Sequence, residues 1–350
     1  MSQNNESIFR YSIKRFMGTF AALIGILIAL FAFSSFVGFA LKNVPDIEEN
    51  FLPIKVQPNQ MGDVSLFKKD TNLILQIDIE GVIGIDRKTE NTSATLQKIL
   101  KQPHLQGINM DRLKGVFIKI NSRGGSASEC EQMYQDLMSF KGQYNIPIHV
   151  WISDVCASAG YYLACSGDYI SAQSITMIGS VGVFFPPQFN FYNLMQKVGV
   201  EAMIVSAGKN KIPFPMFTPI VDGTNSYKDI IKIANDVYES FITVVDSSRA
   251  SHGLTKAKLI EYGAAIYGSL DAQKLGYIDA ANTRYFDALA YMKKSLELDE
   301  NTQVISFVQK KTFYDSLKNT LENKLSFLFG TSQSTPLPFT LEAPLYPNQL

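Results

Sequence analysis

The stretch Val116-Phe117-Ile118-Lys119-Ile120-Asn121-Ser122-Arg123-Gly124-Gly125 sets the architecture of the chain. Val116–Ile120 is a short β-branched and aromatic run that reads as a strand, and the polar, glycine-paired turn behind it ends the run. From Ser126 to Phe140 the period changes. Cys130, Met133, Tyr134, Leu137 and Met138 recur at i, i+3, i+4, i+7 and i+8, the stripe of an amphipathic helix. Ser126 with Glu129, or Ser128 with Glu131, has the spacing of a capping box. His149–Ile152 is the next strand. Strand, glycine turn, helix and strand make a βαβ unit, which requires a parallel sheet and an α/β fold.

Working outward, Asn72–Ile79 is an earlier strand in which Leu73, Leu75, Ile77 and Ile79 alternate with Ile74, Gln76 and Asp78. Ser226–Ser248, Leu254–Tyr262 and Tyr285–Lys294 read as helices, and 306–329 as amphipathic with mixed charge. Prolines at 45, 53 and 58 mark 42–70 as a linker, and those at 336, 338, 344 and 347 mark 331–350 as a flexible tail. The expected organisation is a short N-terminus (1–15), an apolar segment (16–41), the linker (42–70), one α/β domain (71–300), a helical C-terminal extension (301–330) and the tail (331–350).

Phe16 to Leu41 is a run of 26 residues without a charge. As a helix it would be about 39 Å long, against a bilayer core of about 30 Å. It is too long for the apolar region of a cleavable signal peptide, so the expectation is a transmembrane helix. Arg10, Lys14 and Arg15 precede it, and Asp46, Glu48 and Glu49 follow. The positive-inside rule then puts the N-terminus in the cytoplasm and the rest of the chain outside it.

Composition narrows the function. With 46% hydrophobic residues in a chain of 350, the protein can bury a large core. Lys+Arg and Asp+Glu both number 32, so no basic excess points to nucleic acid as a partner. The three cysteines (Cys130, Cys156, Cys165) and three histidines (His104, His149, His252) show no metal-ligand spacing, and no metal or other cofactor is expected. The odd cysteine count argues against a required bridge, although Cys130 and Cys165 could oxidise outside the cytoplasm.

Four segments have the residue types that chemistry needs. The Asn121–Gly125 turn between strand and helix can present backbone N–H groups to an anion; a plain tight turn uses the same residues. Cys156-Ala157-Ser158-Ala159-Gly160-Tyr161-Tyr162 follows the third strand and surrounds one serine with small residues. Ser158 there reads either as a nucleophile or as a helix N-cap, and Cys156 as a buried filler. No histidine is placed by sequence to activate that serine. A desolvated lysine can do so, and Gly208-Lys209-Asn210-Lys211 runs straight into the apolar stretch from Ile212 to Phe217. Ser180, within Gly179-Ser180-Val181-Gly182-Val183, is suited to orient a buried amine or to sit in an ordinary turn.

In order and spacing these four segments resemble the signal peptide peptidase A family, the membrane-bound serine proteases of clan SK and peptidase family S49. The likeness runs from about residue 72 to 290 and takes in Ala272-Gln273-Lys274-Leu275-Gly276-Tyr277-Ile278-Asp279. It implies a ClpP/crotonase-like fold and a Ser–Lys dyad. Ser158 would be the nucleophile, Lys211 the general base rather than Lys209, and Ser180 the serine that orients the lysine. Gly124 or Gly125 would supply one oxyanion donor and Ala159 the other. Arg123 stands where the family usually has proline, and Ala159 where it usually has glycine.

The resemblance implies an endopeptidase of the bacterial cytoplasmic membrane that cuts remnant signal peptides and other apolar peptides. It also implies a homo-oligomeric ring seated on the lipid bilayer. Phe184-Phe185-Pro186-Pro187 suits a groove or an interface, although core packing is the simpler reading. Three other readings compete: a crotonase-like acyl-CoA enzyme, a non-catalytic peptide-binding scaffold, and a related protease acting on stomatin-like membrane proteins.

Overall fold

In the computed structural model the described residues are 10–11, 13–26, 28–29, 33, 54–68, 70–84, 96–97, 99–100, 109–185, 188–205, 207–208, 216–219 and 225–307. The chain divides into two units, 1–50 and 51–350. In the first, the described residues between 10 and 33 are helical. The remainder of the predicted span over 16–41 lies outside the described residues. Among the described residues no helix is long and apolar enough to cross a membrane.

The second unit is a mixed α/β domain built on one eight-stranded sheet. Its strands are β1 (Ile54–Val56), β2 (Leu73–Ile83), β3 (Leu113–Gly125), β4 (Ile148–Ala157), β5 (Tyr169–Ala172), β6 (Met177–Gly179), β7 (Ile266–Tyr267) and β8 (Gln303–Phe307). The order across the sheet is β1-β8-β2-β3-β4-β6-β7, with β5 also paired to β4. The centre is parallel throughout, from β8–β2 to β4–β6. Among the described residues, antiparallel pairs occur only at the two margins, β1–β8 and β6–β7. The helices are α1 (Ala127–Tyr144), α2 (Ala159–Ala164), α3 (Tyr192–Val198), α4 (Asn225–Arg249), α5 (Lys256–Tyr262), α6 (Ser269–Lys274) and α7 (Tyr285–Ser295).

The β3–α1–β4 unit forms as the periodicities require, and Ser126 caps α1 by accepting the Glu129 N–H. Cys130, Met133, Leu137 and Phe140 bury the α1 stripe against one sheet face, where Leu75, Ile77, Ile79, Ile118 and Ile120 lie. The other face has a smaller core: Ile74, Phe117 and Trp151 meet Leu289 and Met292 of α7. The alternation read in β2 therefore separates two real faces.

Two segments differ from expectation. Ile54–Val56, within the predicted linker, is a strand, and Gln303–Phe307, at the start of the predicted helical extension, is its partner. β8 also adds in parallel to β2 and so extends the sheet beyond both ends of the expected domain. Residues 308–350 lie outside the described residues, and with them most of the predicted extension and all of the tail.

Candidate active site

The central strands β2, β3 and β4 run parallel and finish on one edge, where the carboxyl ends of such strands leave a crevice for a ligand. Ser158 is the first residue past β4, with φ 52° and ψ −126°. A non-glycine residue in that region costs about 1–3 kcal/mol and persists only where its surroundings enforce it. Enforcement comes from both sides. The Ser158 N–H donates to the Gly179 carbonyl (2.9 Å), and its own carbonyl accepts from Tyr161 and Tyr162 N–H (2.9 and 3.0 Å). All six residues of α2 are buried, which fixes the helix against the core. Ser158 occupies the N-cap position, yet its side chain makes no capping bond. The ordinary structural job of a serine there is therefore not being done.

Ser180 also has a positive φ, 53°, and its N–H donates to the Ala265 carbonyl (2.8 Å). The carbonyl that holds Ser158 belongs to the peptide bond joining Gly179 to Ser180, so one hydrogen bond couples the two serine turns. Both serines line a cleft of about 350 Å³ with Val181, Asn235, Tyr238 and Ala264.

The glycine turn packs directly on Ser158. Gly124 has φ 106°, and a Cβ there would lie 2.8 Å from the Ser158 Cβ and 3.1 Å from the Ala159 nitrogen. Only glycine satisfies both the dihedral and the space. The Gly124 N–H donates to Ser122 Oγ (3.2 Å), and the same hydroxyl donates to the Gly81 carbonyl (2.7 Å). Ser126 N–H donates to the Ile83 carbonyl (2.8 Å). In a parallel ladder this turns the Gly125 N–H away from β2. The Ala159 N–H belongs to the first turn of α2, where donors have no acceptor inside the helix. The structure thus brings Ser158, Ser180, Gly124, Gly125 and Ala159 together; Lys209 and Lys211 lie outside the described residues.

A groove of about 1270 Å³ opens from Ser158 and Ser180. Arg123, Glu131 and Tyr162 line it on one side, and Val237, Phe241 and Val244 of α4 on the other. Phe184, four-fifths exposed, also lines it, which favours the groove reading of that aromatic stretch over core packing. The Tyr162–Glu131 hydrogen bond in the groove wall and the part played by α4 were not visible in the sequence, because they join residues far apart along the chain.

Competing nucleophiles and bases are disfavoured by burial. Cys130 lines the groove, but desolvation pushes its thiol well above the usual range. Desolvation likewise pushes Cys165 up to about 12 and holds Cys156 well above its usual range. All three are unpaired and stay protonated. Burial lowers the pKa of His149, whose ring packs against both Tyr169 and Tyr291 and does not line the groove. His252 instead meets the Asp279 carboxylate (3.0 Å). His104 lies outside the described residues, and among those described no cluster of side chains is suited to a metal.

Comparison with known proteins shows what this region is similar to. Residues 141–299 match the model of peptidase family S49. The chain is 27% identical over 205 residues to the Na(+)/H(+) antiporter NhaA of Brucella melitensis biotype 1, covering 59% of this chain and 26% of that protein. It is 27% identical over 267 residues to a putative signal peptide peptidase SppA of Enterococcus faecium, covering 75% of this chain and 74% of that one. Among solved structures it is similar to a lysine-to-alanine mutant of the 1510-N membrane-bound stomatin-specific protease in complex with a substrate peptide. That likeness has 17% identity and a TM-score of 0.40, covering 73% of this chain and 99% of the other. The chain thus spans about a quarter of the Brucella protein and three quarters of the Enterococcus one. The matched region contains Ser158, Ser180 and Lys211, and over it the chain is similar to peptidase family S49.

Proposed function

We propose that this chain is a membrane-anchored serine endopeptidase of ClpP/crotonase-like fold, with Ser158 as nucleophile and Lys211 as general base. The observation that carries the reading is the strained Ser158 turn, packed on Gly124 and hydrogen-bonded to the peptide that leads into Ser180. A serine held in a costly conformation, without a capping role, fits a nucleophile presented at a strand-to-helix turn.

In this mechanism the neutral Lys211 amine, oriented by the Ser180 hydroxyl, removes the Ser158 Oγ proton as Oγ attacks a peptide carbonyl. The carbonyl oxygen becomes an oxyanion between two backbone N–H groups. Ala159 supplies one. Gly125 supplies the other, because the Gly124 N–H is already engaged by Ser122 Oγ. Collapse breaks the C–N bond, and the lysine returns its proton to the leaving amine. Water, deprotonated by the same lysine, then hydrolyses the ester on Ser158 and restores the free enzyme.

The apolar run over 16–41 anchors the chain with its N-terminus in the cytoplasm, and the catalytic unit works outside the bacterial cytoplasmic membrane as a homo-oligomeric ring. Its substrates are apolar segments such as signal-peptide remnants. The test is hydrolysis by full-length chain in bilayers of two peptide sets, one from signal-peptide segments and one from stomatin-type membrane proteins. Ser158-dependent cleavage of the first set, rising with pH as a lysine base requires, is expected. Cleavage of the stomatin set alone would transfer the substrate assignment, and equal activity of Ser158→Ala would contradict the mechanism.

A further inference from the structure

The two helices that follow the proposed oxyanion donors also wall the groove beside them. α1 starts directly after the Gly124–Gly125 turn, and α2 starts directly after Ser158. The Cys130 thiol of α1 donates to the carbonyl of Ala159, the first residue of α2 (3.0 Å). A substrate carbonyl held by Gly125 and Ala159 would set the side chain of its own residue, two bonds from the carbonyl carbon, beside the groove that α1 and α2 wall.

That space has an apolar body and, of the groove's three charged residues Arg123, Glu131 and Glu239, one charge on α1 itself. Ala159, the Tyr162 ring, Phe241 and Val244 line it, and the rings of Tyr162 and Phe241 meet with centroids 5.3 Å apart. The charge is the half-buried Glu131 carboxylate. One of its oxygens accepts from the Tyr162 hydroxyl and the other from Gln135 Nε2 (2.7 Å), both neutral donors. Among the described residues no cationic side chain pairs with it. Glu239, the other acid lining the groove, already has Lys256 Nζ at 2.6 Å. A carboxylate oxygen pair offers about four acceptor positions, so Glu131 retains capacity for a further donor.

We propose that Glu131 makes this pocket select a basic side chain, so that the enzyme prefers peptide bonds whose carbonyl belongs to lysine or arginine. The apolar walls suit the methylene stem of such a residue, and the carboxylate suits its cationic end. The inference rests on the Ser158 peptidase reading and specifies the substrate of that same site. It also accommodates otherwise apolar substrates, since a bilayer segment carries its basic residues at its flank.

The test is kcat/KM of full-length chain, wild type and Glu131→Gln, on peptides identical except for Lys, Leu or Glu on the acyl side of the cleaved bond. Glu131→Gln keeps an acceptor for the Tyr162 hydroxyl and removes only the charge. The wild type is expected to favour the Lys peptide and to disfavour the Glu peptide. Glu131→Gln is expected to lower the Lys-to-Leu ratio by about 10–100-fold. Glu131→Lys, monitored for folding by circular dichroism, should shift preference toward the Glu peptide. Ser158-dependent cleavage with a Lys-to-Leu ratio unchanged in Glu131→Gln overturns the pocket assignment and leaves the peptidase reading standing. Absence of any Ser158-dependent cleavage overturns both.

Discussion

At the residue scale, the site depends on two positions where the backbone adopts a conformation that most residues avoid. Ser158 holds φ 52° because its N–H is tied to Gly179 and its carbonyl to the first turn of α2. Gly124 holds φ 106° because the loop must pass within van der Waals contact of Ser158. Gly124→Ala would add a Cβ into both the Ser158 side chain and the Ala159 nitrogen. We expect it to lower stability by about 1–3 kcal/mol and to depress peptide hydrolysis by at least about 10²-fold through a displaced oxyanion donor. Thermal unfolding and initial rates measure the two effects separately; near-normal turnover in a destabilised Gly124→Ala would place the donor elsewhere. The residue types at these positions were legible, since paired glycines after a strand and a serine among small residues are local signals. That the Gly124 N–H is taken up by a side chain was not legible, because it depends on the Ser122 hydroxyl, which also donates to Gly81 across the sheet.

At the element scale, a buried polar anchor stands at the foot of α4, the helix that walls the groove. Arg249, almost fully buried, donates to both Asp279 oxygens (2.9 and 3.1 Å) and to the Gly276 carbonyl (2.8 Å). Asp279 also accepts the Ile170 N–H (2.7 Å), which ties the end of α4 to the start of β5. Removing one member strands a buried charge, so Arg249→Met should destabilise the domain by about 3–5 kcal/mol. Arg249→Met combined with Asp279→Leu should recover part of that loss. Chemical denaturation of Arg249→Met and of the double variant checks this, and an Arg249→Met protein as stable as wild type would mean that the pair contributes nothing to folding. The sequence displayed the main elements here because α4 and the central strands carry long, clean periodicities. It hid β1 and β8. A three-residue strand between prolines and a five-residue strand with Gln303 and Ser306 show too little pattern, and their partners lie some 250 residues apart.

At the scale of the whole molecule, a parallel sheet delivers the ends of β3 and β4 to one edge, and the chain places its unusual residues there. The βαβ core, the serine turn and the glycine turn could all be read from local spacing. The groove could not, because it arises where α1, α2 and α4 meet, each brought from a different part of the chain. The central claim is that the serine at this edge works with a lysine from the Gly208–Phe217 segment. Its most direct test is the initial rate of peptide hydrolysis by wild type, Ser158→Ala, Lys211→Ala and Lys209→Ala of the full-length chain, with folding of each checked by circular dichroism. The account predicts that the first two substitutions reduce turnover by about 10³-fold or more while Lys209→Ala retains it. Full activity in a folded Ser158→Ala or Lys211→Ala protein would contradict it.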